Sequence, residues 1–506
     1  MLASAPLPLL VRGKLVQPDG SARDRWLLLR EGRVEAVSRQ RPPMTEHVVV
    51  LDTGSEDWIF PGLFDLHTEL DHHVLPPWSS PRAPFARRGE WTSDDGFRRH
   101  VRDVVRACEA WDREQGRRVL ATLAELQAIT GGSTVLQRPE RAGAEARPDG
   151  AAPSDGVLLG RDATSAEEMG VAGCVLSTFD AFGLDADTGE PRPRSAALEG
   201  YVRRRDAGDL RAAFIRVGEG RSGFCHGDGA DGVARREFEA LMAHPAFADA
   251  AAVRRSPLTL VGGGGLDASD RRHLDFLRER RISVLWSPMS DLWLYGDTLD
   301  VEALLRAGIT VALASGAAPS GSKHVWAEAK FARKWLHAID AQVADQQIVR
   351  MVTVDAARCL GLGAAGQTRS LDVGDLADLF ILRSPLETDN PFEAFFAARD
   401  GDVRATLVGG RPIYGDLDLL ERTGLELQAM PEPESLAAAG KVVHLPPRVG
   451  VDVAMDVARL EEFLQRQDPP VDRSHLISAS DARELRRCRA LHRRAVELGG
   501  SVASTS

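Results

Sequence analysis

Cysteine is scarce in this chain of 506 residues: the five present, Cys108, Cys174, Cys225, Cys359 and Cys488, are odd in number and nowhere spaced as Cys-x-x-Cys. Neither a disulfide framework nor a zinc ribbon follows from such a set. Aromatic residues are also thin, at 6%. No apolar run approaches the roughly 20 residues that span a bilayer. The stretch from Met1 to Pro6 lacks the basic segment and following apolar run of a signal peptide. An excess of positive charge is missing as well. The 63 Lys and Arg are outnumbered by 74 Asp and Glu, and the resulting net charge of −11 argues against a general nucleic-acid binder. The one basic cluster, Arg486-Arg487-Cys488-Arg489, falls on a helical pattern and reads as a solvated face. No internal repeat is visible. These absences lead to the expectation of a reduced, soluble, cytoplasmic protein with no nucleic-acid and no membrane partner.

What is present is ordinary for a globular chain, 43% apolar and 27% charged, and long enough for a large core and more than one domain. Up to residue 57 the pattern is of short strands and turns. Trp26-Leu27-Leu28-Leu29-Arg30 runs into Glu31-Gly32, Arg33-Val34-Glu35-Ala36-Val37 follows, and His47-Val48-Val49-Val50-Leu51-Asp52 comes later. From Trp58 short apolar runs (59–66, 132–137, 173–177, 212–217, 258–261, 282–287 and 309–314) alternate with longer charged segments. In one of these, 267–281, Leu274 and Leu277 fall at helical spacing. Buried strands alternating with amphipathic helices indicate a parallel sheet, and this many units point to an α/β (β/α)8 TIM-like barrel over 58–364. A doubly wound sheet is the architectural alternative. Strand character returns in 372–382 and 403–408, so 365–416 is expected to join 1–57 in a small composite β-sandwich domain. A helical and irregular extension, 417–506, follows, and 141–150 reads as a surface loop.

One ordered set of stretches carries a resemblance. Trp58-Ile59-Phe60-Pro61-Gly62-Leu63-Phe64-Asp65-Leu66-His67-Thr68 resembles the opening of the barrel in the amidohydrolase superfamily. Ile215-Arg216-Val217-Gly218-Glu219-Gly220 looks like its fifth strand, and Leu260-Val261-Gly262-Gly263-Gly264-Gly265-Leu266-Asp267 like its sixth. Ser287-Pro288-Met289-Ser290-Asp291-Leu292 and Pro319-Ser320-Gly321-Ser322-Lys323 look like the seventh and eighth. The likeness covers roughly residues 9 to 416, in the imidazolonepropionase/chlorohydrolase-like branch. It implies hydrolysis of C–N and related bonds in amides, cyclic ureas and aminated bases, assisted by one or two divalent ions.

The family's ligands are usually a His-x-His pair, a His on strand five, a His on strand six and an Asp on strand eight. Carried over, these positions hold His67, Glu69, Arg216, Gly262 and Gly316. Glycine offers no side-chain ligand, and a guanidinium has no lone pair to give. The expectation is therefore a degenerate metal site with no cofactor. A displaced zinc held by His67 and Glu69 with His72 or His73 is the alternative. His67, Glu69 and Arg216 become the candidate catalytic residues, with Arg216 supplying positive charge and Glu69 holding it. Asp71, His73, Glu219, Ser287 and Ser320 are the candidate ligand contacts around them.

Weaker patterns have blander readings. Gly223-Phe224-Cys225-His226-Gly227-Asp228 reads as a glycine-rich loop rather than a Cys-His pair. The four glycines from Gly262 lack the Lys-Ser/Thr of a phosphate loop. Ser320-Gly321-Ser322-Lys323 reads as a loop rather than a Ser/Lys nucleophile, and Trp78, Trp91, Trp286, Trp293 and Trp326 as core or barrel mouth. Three functions remain open: a hydrolase or related enzyme with a remodelled mechanism, a pseudoenzyme that binds a ligand or regulates a partner, or a structural subunit beside an active homologue. A small-molecule ligand and a homo-oligomer are expected.

Overall fold

A computed structural model describes residues 8–466, apart from 45–46, 74, 112–114, 138–158, 185–189, 226–230, 318, 364–369 and 431–439. The loop at 141–150, His226 and the basic cluster with Cys488 lie outside the described residues. The other four cysteines are free thiols.

Eight short parallel strands form two arcs. β1 (Leu63–Asp65), β2 (Ser133–Leu136) and β3 (Arg161–Asp162) make one arc. β4 (Cys174–Asp180), β5 (Leu210–Val217), β6 (Leu258–Gly262), β7 (Ser283–Trp286) and β8 (Val311–Leu313) make the other, each paired with the next. The arcs meet just beyond β1 and β8. There Gly316 donates its N–H to the His67 carbonyl and accepts from the Glu69 N–H, both at 3.0 Å. No ladder joins β3 to β4 among the described residues.

β1, β2, β6, β7 and β8 are buried on both faces, which is why they appear in the sequence as apolar runs. In β5 the side chains alternate. Ala212 and Phe214 pack with Phe64, Val135, Val261, Leu285 and Ala312, whereas Ala213, Ile215 and Val217 join a second cluster with the helical residues Phe238, Phe276 and Leu277. Arg216 continues the Ala212–Phe214 side. The helix Arg271–Arg280 shows how the outer layer is set: Asp270 caps it by accepting from the Arg272 N–H, and His273, Phe276 and Leu277 are buried beneath it.

The N- and C-terminal parts of the chain meet in one ten-stranded sheet. Its centre is the antiparallel pair Asp57–Pro61 and Leu379–Arg383, in which Phe60 lies opposite Phe380. The period of two splits this sheet as well. Trp58, Phe60, Phe380 and Leu382 belong to the same cluster as the helical layer, while Ile59, Leu379 and Ile381 pack with Leu27, Leu29 and Leu407. No helix among the described residues is long and apolar enough to cross a membrane.

Candidate functional site

Parallel α/β barrels carry their sites at the C-terminal ends of the strands. Here that end holds a pocket of about 60 Å³ whose lining includes His67, Glu69, Arg216, Gly262 and Gly316, the five inherited ligand positions. Glu219, Ser287 and Ser320 line it too, together with Arg88, Trp91, Asp291 and Tyr295.

Arg216 is its centre, with 11% of the side chain exposed. Its Nη1 donates to Asp180 Oδ1 at 3.2 Å, and its Nε lies 3.4 Å from Glu219 Oε2. Its Nη2 is 3.9 Å from Glu69 Oε1 and 3.4 Å from His67 Nε2. The pairing with Glu69 expected from the sequence is present, but Asp180 holds the guanidinium more closely. A guanidinium can only donate, so His67 Nε2 accepts. The imidazole proton then sits on Nδ1, 3.3 Å from the Thr178 hydroxyl. Burial, with Arg216 alongside, pushes His67 down to about 3 and keeps the ring neutral. Burial alone would raise Glu69, yet His72 at 2.8 Å and Arg216 outweigh it and hold the carboxyl below its ordinary range.

Glu219 collects a second set of contacts. Arg88 Nε lies 3.4 Å from its Oε2, and Tyr295 donates its hydroxyl to Oε1 at 2.7 Å. The direction of that hydroxyl is fixed, because the indole N–H of Trp91 donates to the same oxygen at 2.8 Å. The segment bearing Arg88 and Trp91 is fastened over the pocket by Phe85 N–H to the Leu294 carbonyl (2.7 Å) and Arg88 N–H to the Glu219 carbonyl (3.1 Å).

Two glycines complete the wall in left-handed backbone, Gly262 at φ +93° and Gly316 at φ +70°. A Cβ on Gly262 would stand 3.0 Å from that of Glu219. The β6 position has thus given its space to the Glu219 side chain and taken a backbone that side-chain-bearing residues resist.

Not every nominated residue reaches the pocket. His73, expected to touch a ligand, is 1% exposed and engaged elsewhere. Its Nδ1 lies 3.1 Å from the Lys323 carbonyl, and its Nε2 lies 2.8 Å from the Thr68 hydroxyl and 3.3 Å from the Gly316 carbonyl. It laces the loops after β1 and β8 together. The side chain of Asp71 lies outside the described residues. Ser287 lines the pocket with its hydroxyl donated to the Ala314 carbonyl at 2.7 Å, and Ser320 lies 3.1 Å from the Ser290 hydroxyl. Lys323 is paired with Asp400, away from Ser320. Asp180, Arg88, Asp291 and Tyr295 were not singled out by the sequence. Only Asp180 carried a signal, as the charge that ends an apolar strand beside Arg216 in the β4–β5 ladder.

Residues 239–413 match the amidohydrolase family model. A 5-methylthioadenosine/S-adenosylhomocysteine deaminase of Syntrophobacter fumaroxidans is 33% identical over 162 residues, 30% of this chain and 36% of that protein. A 5′-deoxyadenosine deaminase of Methanosarcina acetivorans is 28% identical over 157 residues, 29% and 35% of the two chains. The chain thus matches about a third of the length of these curated relatives. Atrazine chlorohydrolase TrzN from Arthrobacter aurescens, complexed with zinc, superposes with a TM-score of 0.56 at 16% identity over 82% of this chain and 99% of its own. An adenosine deaminase from Xanthomonas campestris with bound zinc gives 0.50 at 17% identity over 81% and 93%. The fold is that of a TIM-like α/β barrel with an added domain. Over residues 239–413, about a third of its length, the chain is similar to the amidohydrolase family.

This kinship corrects the expectation that no cofactor takes part. Two proteins of the same fold are zinc complexes, which overturns an expectation built on the five positions alone. Such an ion lowers the pKa of bound water and polarises the bond under attack. The residues at the inherited positions do not fit one as they stand. A guanidinium fills the strand-five place, two ligand positions are glycine, and His67 Nε2 is engaged by Arg216. Nor does a displaced set form, since among the described residues no group of three or more His, Cys, Asp or Glu side chains is disposed to hold an ion.

Proposed function

We propose that the pocket around Arg216 is the working site of this chain, and that it acts on a small polar molecule carrying a hydrolysable C–N bond. The observation that supports this most is the placing of Arg216. A guanidinium stands where strand five delivers its ligand, held by Asp180, Glu219 and Glu69 from three different segments. A buried cation is tolerable only when paired in this way, and once paired it is a fixed positive charge for polarising an electron-rich atom. Glu219 beside it is the carboxylate able to take a proton from attacking water. The curated relatives, deaminases of adenosine derivatives, suggest an aminated heterocycle as the substrate class.

A second reading is favoured by the same contacts. Three carboxylates and an imidazole already surround Arg216, an arrangement suited to holding a ligand or a shape without turnover, alone or beside an active homologous subunit.

The test is ammonia release by the purified full chain from adenosine, 5′-deoxyadenosine and 5′-methylthioadenosine, and ring opening of hydantoin read as its carboxylic-acid product, each with and without added zinc. Isothermal titration of the same compounds runs in parallel. Turnover that falls about 100-fold or more in both Arg216→Met and Arg216→Lys, with circular dichroism unchanged, is the expected result. Turnover indifferent to Arg216 sinks its role. Binding without turnover establishes the second reading, and neither binding nor turnover removes this substrate class.

A further inference from the structure

The helix Pro288–Tyr295 brings two residues to the pocket, Asp291 and Tyr295, four apart and so on one face. Each belongs to a relay of the same make. Trp91 donates to Tyr295 and Tyr295 donates to Glu219. In the second relay the Trp286 indole donates to the Thr298 hydroxyl at 2.7 Å, and that hydroxyl lies 2.9 Å from Asp291 Oδ2. An indole N–H cannot accept, so Thr298 takes the bond from Trp286 and passes its own proton to Oδ2. Oδ2 is thereby fixed as the accepting oxygen, which leaves Oδ1 as the oxygen on which a carboxylic-acid proton sits.

The two carboxyls differ in company. Glu219 has the guanidinium groups of Arg88 and Arg216 at 3.4 Å. Asp291 has no salt bridge among the described residues. The charges that face it are of its own sign, Glu219 from the loop after β5 and Asp297 just beyond the helix, while Tyr295 on its own helix is a phenol. Burial first, and then these two carboxylates, push the Asp291 carboxyl well above its ordinary range. Tyr295 is driven upward for the same reasons and stays a phenol.

We propose that Asp291 is the acid of this pocket, a neutral carboxyl whose Oδ1–H is offered to a nitrogen of the ligand across from the Glu219 carboxylate. The proposal rests on the reading of the pocket as the working site and assigns the proton traffic within it. When a C–N bond is hydrolysed there, the attacking water gives one proton to Glu219 and its oxygen bonds to carbon. The departing nitrogen takes the Asp291 proton and keeps the electron pair of the broken bond. Ammonia leaves, and the proton on Glu219 returns to Asp291 through pocket water, so the cycle closes without any further reactant. A carboxyl with no ion pair beside one held by two guanidinium groups suits this division of labour.

The experiment uses the full chain with 13C-labelled aspartate carboxyls, read by infrared and NMR difference against Asp291→Asn, with no ligand present. The expected result is a protonated carboxyl at neutral pH that disappears in Asp291→Asn. Its C=O band should shift within minutes of transfer to D2O. In Thr298→Val the band should move because Oδ2 loses its donor, and in Glu219→Gln the midpoint should fall because a like charge is gone. A carboxylate at neutral pH overturns the proposal, and so does an acid whose proton stays sealed from D2O while the fold is intact. These outcomes do not depend on turnover, so they stand apart from failure of the substrate reading. For any compound that is turned over, Asp291→Asn should lower kcat about 100-fold or more with KM little changed. A wild-type kcat in that variant would also overturn the proposal.

Discussion

Asp65 ends β1 with its side chain wholly buried, and both its oxygens are taken by one residue across the seam: Oδ1 accepts from the Ser315 N–H and Oδ2 from the Ser315 hydroxyl. Burial dominates these bonds and pushes the carboxyl up to about 7. An acid with a raised folded pKa holds its proton in the native state while the unfolded chain has released it. The associated stability is complete below the ordinary value near 4 and is lost as pH rises through about 7, by up to about 1.4 kcal/mol per pH unit. The stability of wild type minus that of Asp65→Asn should therefore decline across this window in urea titrations at successive pH values. A difference that stays level from pH 4 to 7 would show that Asp65 is not protonated there. His67, two residues on, titrates the opposite way. It is neutral in the fold, so its stabilising contribution is present above its ordinary pKa and drains as pH falls.

At the scale of elements, the helix Pro288–Tyr295 and the segment bearing Trp91 are joined by a chain in which every proton has one place to go. Tyr295→Phe removes the middle link, leaving the Trp91 N–H with its acceptor gone and Glu219 short of a donor. A buried polar group stripped of its partner costs about 1–3 kcal/mol. The urea midpoint should drop by that amount at unchanged slope. An unchanged midpoint would mean that water or another group replaces the phenol at no cost. Such chains were invisible in the sequence for a physical reason. Strands β5 to β8 show themselves because burial on both faces demands apolar runs, and Arg216 shows itself as the charge within the run 212–217. Asp180, Arg88 and Asp291 acquire their roles from which strand end or loop faces which, and a polar residue there has no period to betray it. His73 misled because a histidine near a strand end has the same letter whether it meets a ligand or laces two loops. The metal misled more deeply: the residue-by-residue reading at five positions led to an expectation of no cofactor, whereas two proteins of the same fold are zinc complexes.

At the scale of the whole molecule, the barrel and the ten-stranded sheet share a core. Trp326 stacks edge-on to Phe380 (5.1 Å) and Phe395 (6.1 Å), its indole donates to the Phe395 carbonyl at 3.0 Å, and Phe395 in turn meets Phe60 at 5.2 Å. Beside this aromatic joint Lys323, from the loop after β8, is paired with buried Asp400 at the start of the sheet strand Val403–Val408, with His324 3.8 Å away. Burial alone would raise the Asp400 carboxyl. Lys323 and His324 outweigh it and hold it far below the usual carboxylate range. Removing one partner of such a pair is more damaging than never having had it, because the surviving charge keeps its desolvation without the attraction that offset it. Asp400→Asn should therefore lower stability by about 3–5 kcal/mol. Because the pair sits in the shared core, tryptophan fluorescence and far-ultraviolet dichroism should shift together as one transition. The wild-type advantage over this variant should be largest above the ordinary aspartate pKa and shrink as pH falls, the reverse of the Asp65 comparison. Two separated transitions in the variant, or a loss well under 1 kcal/mol, would show that sheet and barrel stand independently and that Lys323 finds its neutralising charge elsewhere.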